Sequence, residues 1–306
     1  MIYKNILEAN GNTPLIKLRK MVDENSADIY VKYEGLNIGG SIKTRTALKM
    51  IEDAEGKGLL HEGSIIVEAT SGNQGIGLAL VGAVKGYKVR IIMPDSVSLE
   101  RRKLISQYGA EIILVHDNNN IGDCIKKCGE LAEKNKMEDK NVFVPSQFKN
   151  PANIEAQREV AKEILNELGK VDGFCSGIGT GGTLTGIGQE LKKANKDTYV
   201  VAIEPEHAAI LSSREVTSHV QMGIGDGLIP DILDLEVYDE IIIVSDEEAI
   251  NTSKRLAKEE GIIAGISSGT NVFVALELAK RLGKGKTVVT VLPDTGERYC
   301  STDLFK

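Results

Sequence analysis

Four stretches of small, hydroxyl and amide residues carry the side-chain types that bind anions and form covalent adducts. Gly177-Ile178-Gly179-Thr180-Gly181-Gly182-Thr183 leaves an apolar run and opens a helical one. Glycines there let backbone approach a ligand closely, while free N–H groups and the helix dipole favour a phosphate. Residues 177–182 also match Gly-x-Gly-x-x-Gly, with Glu204 closing the next strand-like run, so a dinucleotide site is a rival reading. Thr70-Ser71-Gly72-Asn73-Gln74-Gly75 sets polar groups at another helix start, where a carboxylate would be well held; the plain alternative is an N-cap by Ser71 or Asn73. Asn37-Ile38-Gly39-Gly40-Ser41-Ile42-Lys43-Thr44-Arg45 brings Lys43 to the head of a helix expected over Thr44 to Ala54. An imine-forming lysine needs shielding and a lowered pKa, whereas a lone lysine is ordinarily a solvated charge. Gly265-Ile266-Ser267-Ser268-Gly269-Thr270 opens a helix running to about Arg281, with Ser267 as N-cap or site residue.

The chain supplies a frame for these loops. Short β-branched runs alternate with longer amphipathic segments, the pattern of parallel sheets covered on both faces. One expected unit is a strand Ser64 to Glu68, a helix Gly75 to Lys85 closed by Gly86, and a strand Lys88 to Met93 ended by Pro94. A helix Leu99 to Tyr108 leads into a strand Glu111 to Val115. A strand Gly173 to Ser176, a helix to about Lys193 and a strand Tyr199 to Ile203 repeat the design, and a helix Glu247 to Glu260 goes with a strand Thr287 to Leu292. Asp117 to Asn120 reads as a polar loop. No Pro/Ser-rich linker separates the halves, so two domains must be tightly joined or interleaved. Ligands of open α/β sheets sit where strands end and loops leave them.

A chain of 306 residues fits two packed domains. Its 37 Lys+Arg against 44 Asp+Glu, a net charge of −7 with mixed signs, argues against nucleic-acid or anionic-membrane partners. No apolar run approaches the roughly 18 residues of a membrane span, and Met1 to Asn5 lacks a signal-peptide core, so a cytoplasmic address is expected. Cys124, Cys128, Cys175 and Cys300 form neither a disulfide framework nor a zinc spacing, which leaves packing in a reducing compartment. His61, His116, His207 and His219 are scattered singly, so no metal site and no Ser-His-Asp triad is expected.

In this order, the four loops resemble the fold-type II pyridoxal-phosphate family that contains cysteine synthase (O-acetylserine sulfhydrylase) and cystathionine β-synthase. The likeness covers nearly the whole chain. It includes Gly11-Asn12-Thr13-Pro14-Leu15, Ser98-Leu99-Glu100-Arg101-Arg102, Gln147-Phe148-Lys149-Asn150-Pro151-Ala152-Asn153, Glu204-Pro205 and Pro293-Asp294-Thr295-Gly296. The resemblance implies a tryptophan synthase β-like α/β fold, with two open, twisted, mostly parallel sheet domains bearing helices on both faces. Residues 1–12 and 36–147 would form a smaller substrate-binding domain; residues 13–35 and 148–306 a larger one holding the cofactor phosphate. It implies pyridoxal 5'-phosphate bound to Lys43 as an internal aldimine, with Lys43 later shuttling the α-proton. Gly179, Thr180, Gly181, Gly182 and Thr183 would cradle the phosphate, and Asn73 would bond the cofactor's ring oxygen. Thr70, Ser71, Asn73, Gln74 and Gln147 would line the substrate side, the α-carboxylate above all. Ser267 would face the pyridine nitrogen and leave it unprotonated, favouring β-elimination through an α-aminoacrylate over transamination. Relatives resemble homodimers. The nicotinamide reading explains one loop and leaves three unused.

Three positions depart from the family pattern. Gln74 stands where Thr is usual, and Ile154-Glu155-Ala156-Gln157 replaces the usual His and Thr-Thr-Gly run. Gly223-Ile224-Gly225-Asp226-Gly227-Leu228-Ile229-Pro230 carries Asp226 where cysteine synthases usually have Ala. A carboxylate there would repel hydrosulfide and could take a proton from water. The expected reaction is L-cysteine and water to L-serine and hydrogen sulfide, resembling the cysteine hydroxyl-lyase branch, with Lys43 and Asp226 catalytic. If Asp226 instead faces solvent or caps a turn, a cysteine synthase (O-acetyl-L-serine and sulfide to L-cysteine and acetate) or a thiol-exchanging β-synthase remains. Lys43 argues against a binding module without chemistry. The chain's close soon after Tyr299 carries the expectation that the regulatory module of some cystathionine synthases is absent.

Overall fold

The alternating pattern resolves into two separate sheets. The computed structural model describes residues 2–116, 121–138 and 141–306, so the loop expected at Asp117 to Asn120 lies outside the described residues. In chain order come β1 (Leu15–Lys17), β2 (Asp28–Tyr33), α1 (Lys43–Gly56), β3 (Ile65–Ala69), α2 (Asn73–Lys85) and β4 (Lys88–Pro94). Then follow α3 (Leu99–Gln107), β5 (Glu111–Val115), α4 (Gly122–Met137), β6 (Val142–Phe143) and α5 (Ala152–Leu168). The last part holds β7 (Gly173–Gly177), α6 (Gly182–Ala194), β8 (Tyr199–Pro205), β9 (Glu240–Val244), α7 (Asp246–Arg255), α8 (Ile266–Leu282) and β10 (Thr287–Leu292).

Four strands, in the order β5-β4-β3-β6, form an all-parallel sheet. Six more, in the order β1-β2-β10-β7-β8-β9, form a second sheet that is parallel except at its β1 edge. The early strand β2 sits inside the second sheet, with Asp28 opposite Thr287 and Tyr33 opposite Leu292. Both faces of each sheet are covered. Ile66 and Ile91 pack on one side of the smaller sheet, Ile65, Val67 and Ile92 on the other. The larger sheet divides likewise, Val201 and Val288 on one side, Val200 and Val289 on the other. Burial on both sides explains why these strands read as continuous aliphatic runs, each such side chain contributing about 1.5–3 kcal/mol.

Several helix boundaries differ from the sequence expectation by one or more residues, two of them with a visible physical reason. α2 begins at Asn73, directly after Gly72, whose φ of 137° ends the preceding loop abruptly. The helix expected over Glu247 to Glu260 is α-helical only to Arg255 and continues as one π turn, Leu256–Glu260. Glu260 Oε1 there accepts the backbone N–H groups of Arg19, Lys20 and Met21 at 2.9, 2.6 and 2.9 Å, a distant demand on the last turn.

A buried charge cluster ties α1 to β2 and α5. Arg45 Nε meets Glu34 Oε2 at 2.8 Å and its Nη1 meets Glu163 Oε1 at 2.6 Å, while Lys32 Nζ lies 2.6 Å from Glu163 Oε2. Removing one member of such a cluster strands the others, whose burial is tolerable only while they are paired. The first turn of α1, which begins at Lys43, is thereby anchored two residues further on. Among the described residues no helix is long and apolar enough to cross a membrane.

Candidate active site

The carboxyl ends of β3 and β7 open into one cleft, enclosing about 750 Å³ of space including its mouth. Lys43 lines it from the first residue of α1, and its Nζ donates to Thr180 Oγ1 at 3.2 Å. Burial lowers the Lys43 amine to about 8, against the opposing charges of Asp226 and Glu68.

The glycine-rich loop follows β7 and turns directly into α6. A side chain on Gly179 would overlap the Gly223 carbonyl oxygen, and Gly181 has a φ of +80°, so bare backbone is required at both. Gly179, Thr180, Gly181 and Thr183 line the cleft. Gly182 instead lies against Asn153, where any side chain would overlap the Asn153 amide. Thr183, in the first turn of α6, lines the cleft, and helix N-terminal N–H groups without intrahelical partners favour an anion there. Asn271 on α8 braces the loop, accepting from the Gly177 N–H at 2.8 Å and donating to the Val291 carbonyl at 2.8 Å.

Thr70, Ser71, Asn73 and Gln74 line the same cleft at the start of α2. The N-cap of α2 is Gly72 with no side-chain capping bond, so neither Ser71 nor Asn73 is spent on that task. The Asn73 amide is engaged at both ends, its Nδ2 donating to Asp294 Oδ2 at 2.7 Å and its Oδ1 accepting from Arg298 Nη1 at 2.6 Å. Gln74 is buried, its Nε2 3.5 Å from Met50 Sδ and its Oε1 without a partner among the described residues. Ser267 lines the cleft from the first turn of α8, whose N-cap is Gly265, again without a side-chain bond.

Gln147 lies 78 residues beyond Ala69, yet its Nε2 donates to the Ala69 carbonyl at 3.1 Å. Asn153 joins it to the glycine-rich loop, its Nδ2 donating to the Gln147 carbonyl at 2.9 Å and to Thr180 Oγ1 at 2.9 Å. The unusual Gln157 supports this arrangement: Gln157 Nε2 donates to Thr46 Oγ1 at 3.0 Å, and Thr46 in turn donates to Asn153 Oδ1 at 3.3 Å.

Asp226 is half-buried and lines both the cleft and an adjoining cavity shared with Ser71, Met222 and His219. Burial raises its carboxyl above the usual range, while the Lys43 charge and a hydrogen bond from Ser71 pull it down. His219 holds the Asp226 loop: the Gln221 N–H donates to Nδ1 at 3.1 Å and Nε2 is 3.0 Å from the Gly225 carbonyl oxygen. That pairing assigns the ring hydrogen to Nε2.

Two participants are not singled out by local motifs. Glu68, only 2% exposed, accepts the N–H groups of Ser146 and Gln147 at 2.7 and 3.1 Å. An acidic residue inside the aliphatic run Ile65-Ile66-Val67 is itself a signal, since a strand buried on both faces has no solvated place for it. Arg101, 1% exposed, stacks 4.5 Å over the Tyr299 ring and lies 3.5 Å from Asp294 behind the Asn73 amide. Glu204, the carboxylate on which a dinucleotide reading depended, is occupied with Leu211 N, Ser212 N and Ser212 Oγ at 2.8, 3.1 and 2.7 Å.

A buried amine facing an unencumbered glycine loop at a helix N-terminus, with a hydroxyl at Ser267 and amides on the other wall, fits pyridoxal phosphate. A family model described as pyridoxal-phosphate dependent enzyme matches residues 6–294, and the chain belongs to this family. Within it the similarity is to the cysteine synthase group of enzymes acting at the β-carbon. A cysteine synthase of Staphylococcus aureus is 51% identical over 304 residues, covering 98% of this chain and 96% of that protein. The crystal structure of an O-ureido-L-serine synthase superposes with a TM-score of 0.94 at 44% identity, covering 100% of this chain and 96% of that one. A hydrogen sulfide-producing enzyme from Fusobacterium nucleatum superposes with a TM-score of 0.92 at 41% identity, covering 97% and 100%. The nicotinamide reading is thereby set aside.

Proposed function

We propose that this enzyme converts L-cysteine and water to L-serine and hydrogen sulfide. The observation that carries the reading is the Asp226 carboxyl group, which shares the cleft with Lys43 closely enough for their charges to interact. Bound pyridoxal phosphate supplies an electron sink for the substrate's α-carbon. The loop from Gly179 to Thr183 would hold its phosphate, Asn73 its ring oxygen and Ser267 its pyridine nitrogen. Thr70, Ser71, Asn73, Gln74 and Gln147 would receive the amino acid, chiefly its α-carboxylate.

In this scheme Lys43 Nζ takes the α-proton, and the Cβ–S bond breaks with hydrosulfide leaving. Asp226 then takes a proton from water as the water oxygen bonds to Cβ. Lys43 returns the α-proton, and the hydrosulfide set free when the Cβ–S bond broke takes the proton held by Asp226, giving hydrogen sulfide and restoring both groups. The raised Asp226 carboxyl is a stronger base than an ordinary surface carboxylate. Its negative charge also opposes entry of hydrosulfide, which disfavours the reverse use of the site. The hydrogen sulfide-producing relative lends weight to this direction.

A second reading, cysteine synthase, is favoured by the name of the 51% identical relative. Incubating cofactor-loaded protein with L-cysteine alone separates them. Equal amounts of serine and sulfide, with both lost in Asp226→Asn, support the proposal. Negligible product from cysteine, but cysteine from O-acetylserine and sulfide, would replace it by the second reading. The division into residues 1–12 with 36–147 and 13–35 with 148–306 is proposed from the family likeness, and the membership of β1 and β2 in the larger sheet supports it. A cytoplasmic address is proposed from the sequence expectation and a homodimer from family likeness, and sedimentation of the purified protein tests its subunit number.

A further inference from the structure

Glu68 is a carboxylate in an apolar strand for which the reaction just proposed has no use. Its two oxygens take the backbone N–H groups of Ser146 and Gln147 at 2.7 and 3.1 Å. The turn they hold is an unfavourable one, because Ser146 sits at a φ of 55°, a left-handed conformation that side-chain-bearing residues rarely adopt. Further N–H groups from the same turn, those of Lys149 and Asn150, go to the Ser146 carbonyl at 2.8 and 3.0 Å. The turn is thus fastened at one end by its own backbone and at the other by Glu68.

What the turn carries is the cleft residue Gln147, whose carbonyl is the acceptor for Asn153 Nδ2 at 2.9 Å. Asn153 donates on to Thr180 Oγ1, which also accepts from Lys43 Nζ, at 2.9 and 3.2 Å. An unbroken series of hydrogen bonds therefore runs from the strand of one sheet to the glycine-rich loop of the other. We infer that Glu68 is a positioning residue: by fixing the Ser146–Gln147 turn it sets the reach of Gln147 toward the substrate α-carboxylate. This rests on the reading of Gln147 as a carboxylate-binding residue.

A carboxylate accepts at both oxygens, while an amide or a protonated carboxyl presents a donor to one of the two N–H groups and repels it. The titratable groups that face Glu68 are Lys43 from α1 and Cys128 from α4. Burial pushes the Glu68 carboxyl up to about 7, which the two N–H groups and the Lys43 charge only partly offset. The turn is therefore held best above about pH 7 and loosens as the pH falls through that value. Cys128, pushed by burial to about 12, stays a neutral thiol over this range.

Glu68→Gln, Gln147→Ala and the double variant Glu68→Gln with Ser146→Gly would be compared with the parent in cofactor-loaded form. Losing one charge-assisted acceptor predicts a KM for the amino acid raised about tenfold with kcat changed less than about threefold. Faster hydrogen exchange at the Ser146 and Gln147 amides is expected alongside. The parent's KM should rise below about pH 7 and that of Glu68→Gln should not. Gly at position 146 accepts the left-handed conformation freely and should recover part of the loss. If Gln147→Ala raises KM while Glu68→Gln alters neither KM nor amide exchange, the positioning role is overturned and the carboxylate site stands. If Gln147→Ala leaves KM unchanged, the reading beneath it fails first. A fall in kcat with unchanged KM in Glu68→Gln would likewise overturn the proposal.

Discussion

Lys43 Nζ and Thr180 Oγ1 lie 3.2 Å apart across the cleft, joining the head of α1 to the glycine-rich loop. The same hydroxyl accepts from Asn153 at 2.9 Å, so a single oxygen orients the reactive amine and the amide that supports Gln147. Thr180→Val keeps the shape and deletes the acceptor. We expect kcat for cysteine turnover to fall about tenfold or more and stability to drop about 1–2 kcal/mol. Thr180→Ser should stay close to the parent. Steady-state kinetics with thermal melts checks both.

Gly179 faces the Asp226 loop as well as the cleft. An added methyl would overlap the Gly223 carbonyl oxygen and come within 3.5 Å of Asp226 Oδ2. Gly179→Ala should therefore weaken cofactor binding at least tenfold while the two sheets stay folded. Visible-absorbance titration of cofactor-free protein with pyridoxal phosphate, beside circular dichroism, measures the two separately.

The amine of Lys43 is nucleophilic only when neutral. With burial lowering it to about 8, capture of pyridoxal phosphate by cofactor-free protein should speed up through a midpoint near pH 8. The Asp226 charge holds that midpoint up, so Asp226→Asn should move it to lower pH. A midpoint that moves upward would contradict the placement of these charges. Stopped-flow absorbance over a pH series reads it directly.

Glu163 gives a prediction about acid stability. Burial alone would raise its carboxyl, but hydrogen bonds and charge from Arg45 and Lys32 outweigh this and hold it at about 2. A carboxyl depressed in the folded state contributes stability above its usual value near 4.5, and that stability is lost as pH falls from there toward 2. Glu163→Gln should be destabilised by about 3–5 kcal/mol near neutrality, because Arg45 and Lys32 stay buried with less compensation. Its stability should fall less steeply with acid than the parent's. Urea unfolding at several pH values tests the slope.

The strands were legible because burial on both faces writes itself as aliphatic runs such as Ile65-Ile66-Val67 and Val288-Val289. The cleft loops were legible because glycine and hydroxyl residues cluster where backbone must meet a ligand, as at Gly179 and Thr180. Local sequence could not give the role of Asn153, whose meaning comes from Gln147, Thr46 and Thr180 together. The π turn at Leu256–Glu260 had no local signal either, and its Glu260 carboxylate is engaged by the distant segment from Arg19 to Met21. Asn73 lines the cleft, and its ties to Asp294 and Arg298 depend on residues more than 200 positions away.

The place of β2 inside the larger sheet has a consequence for the order in which a ribosome can deliver this molecule. Residues 28–33 are synthesised early but find their neighbour β10 only when residues 287–292 emerge. The parallel strands β3 to β5 have all their pairing partners close behind one another and can assemble first. The nascent chain must therefore carry β2 with only its β1 edge paired, and its other edge open, until residues 287–292 emerge and close the sheet around it.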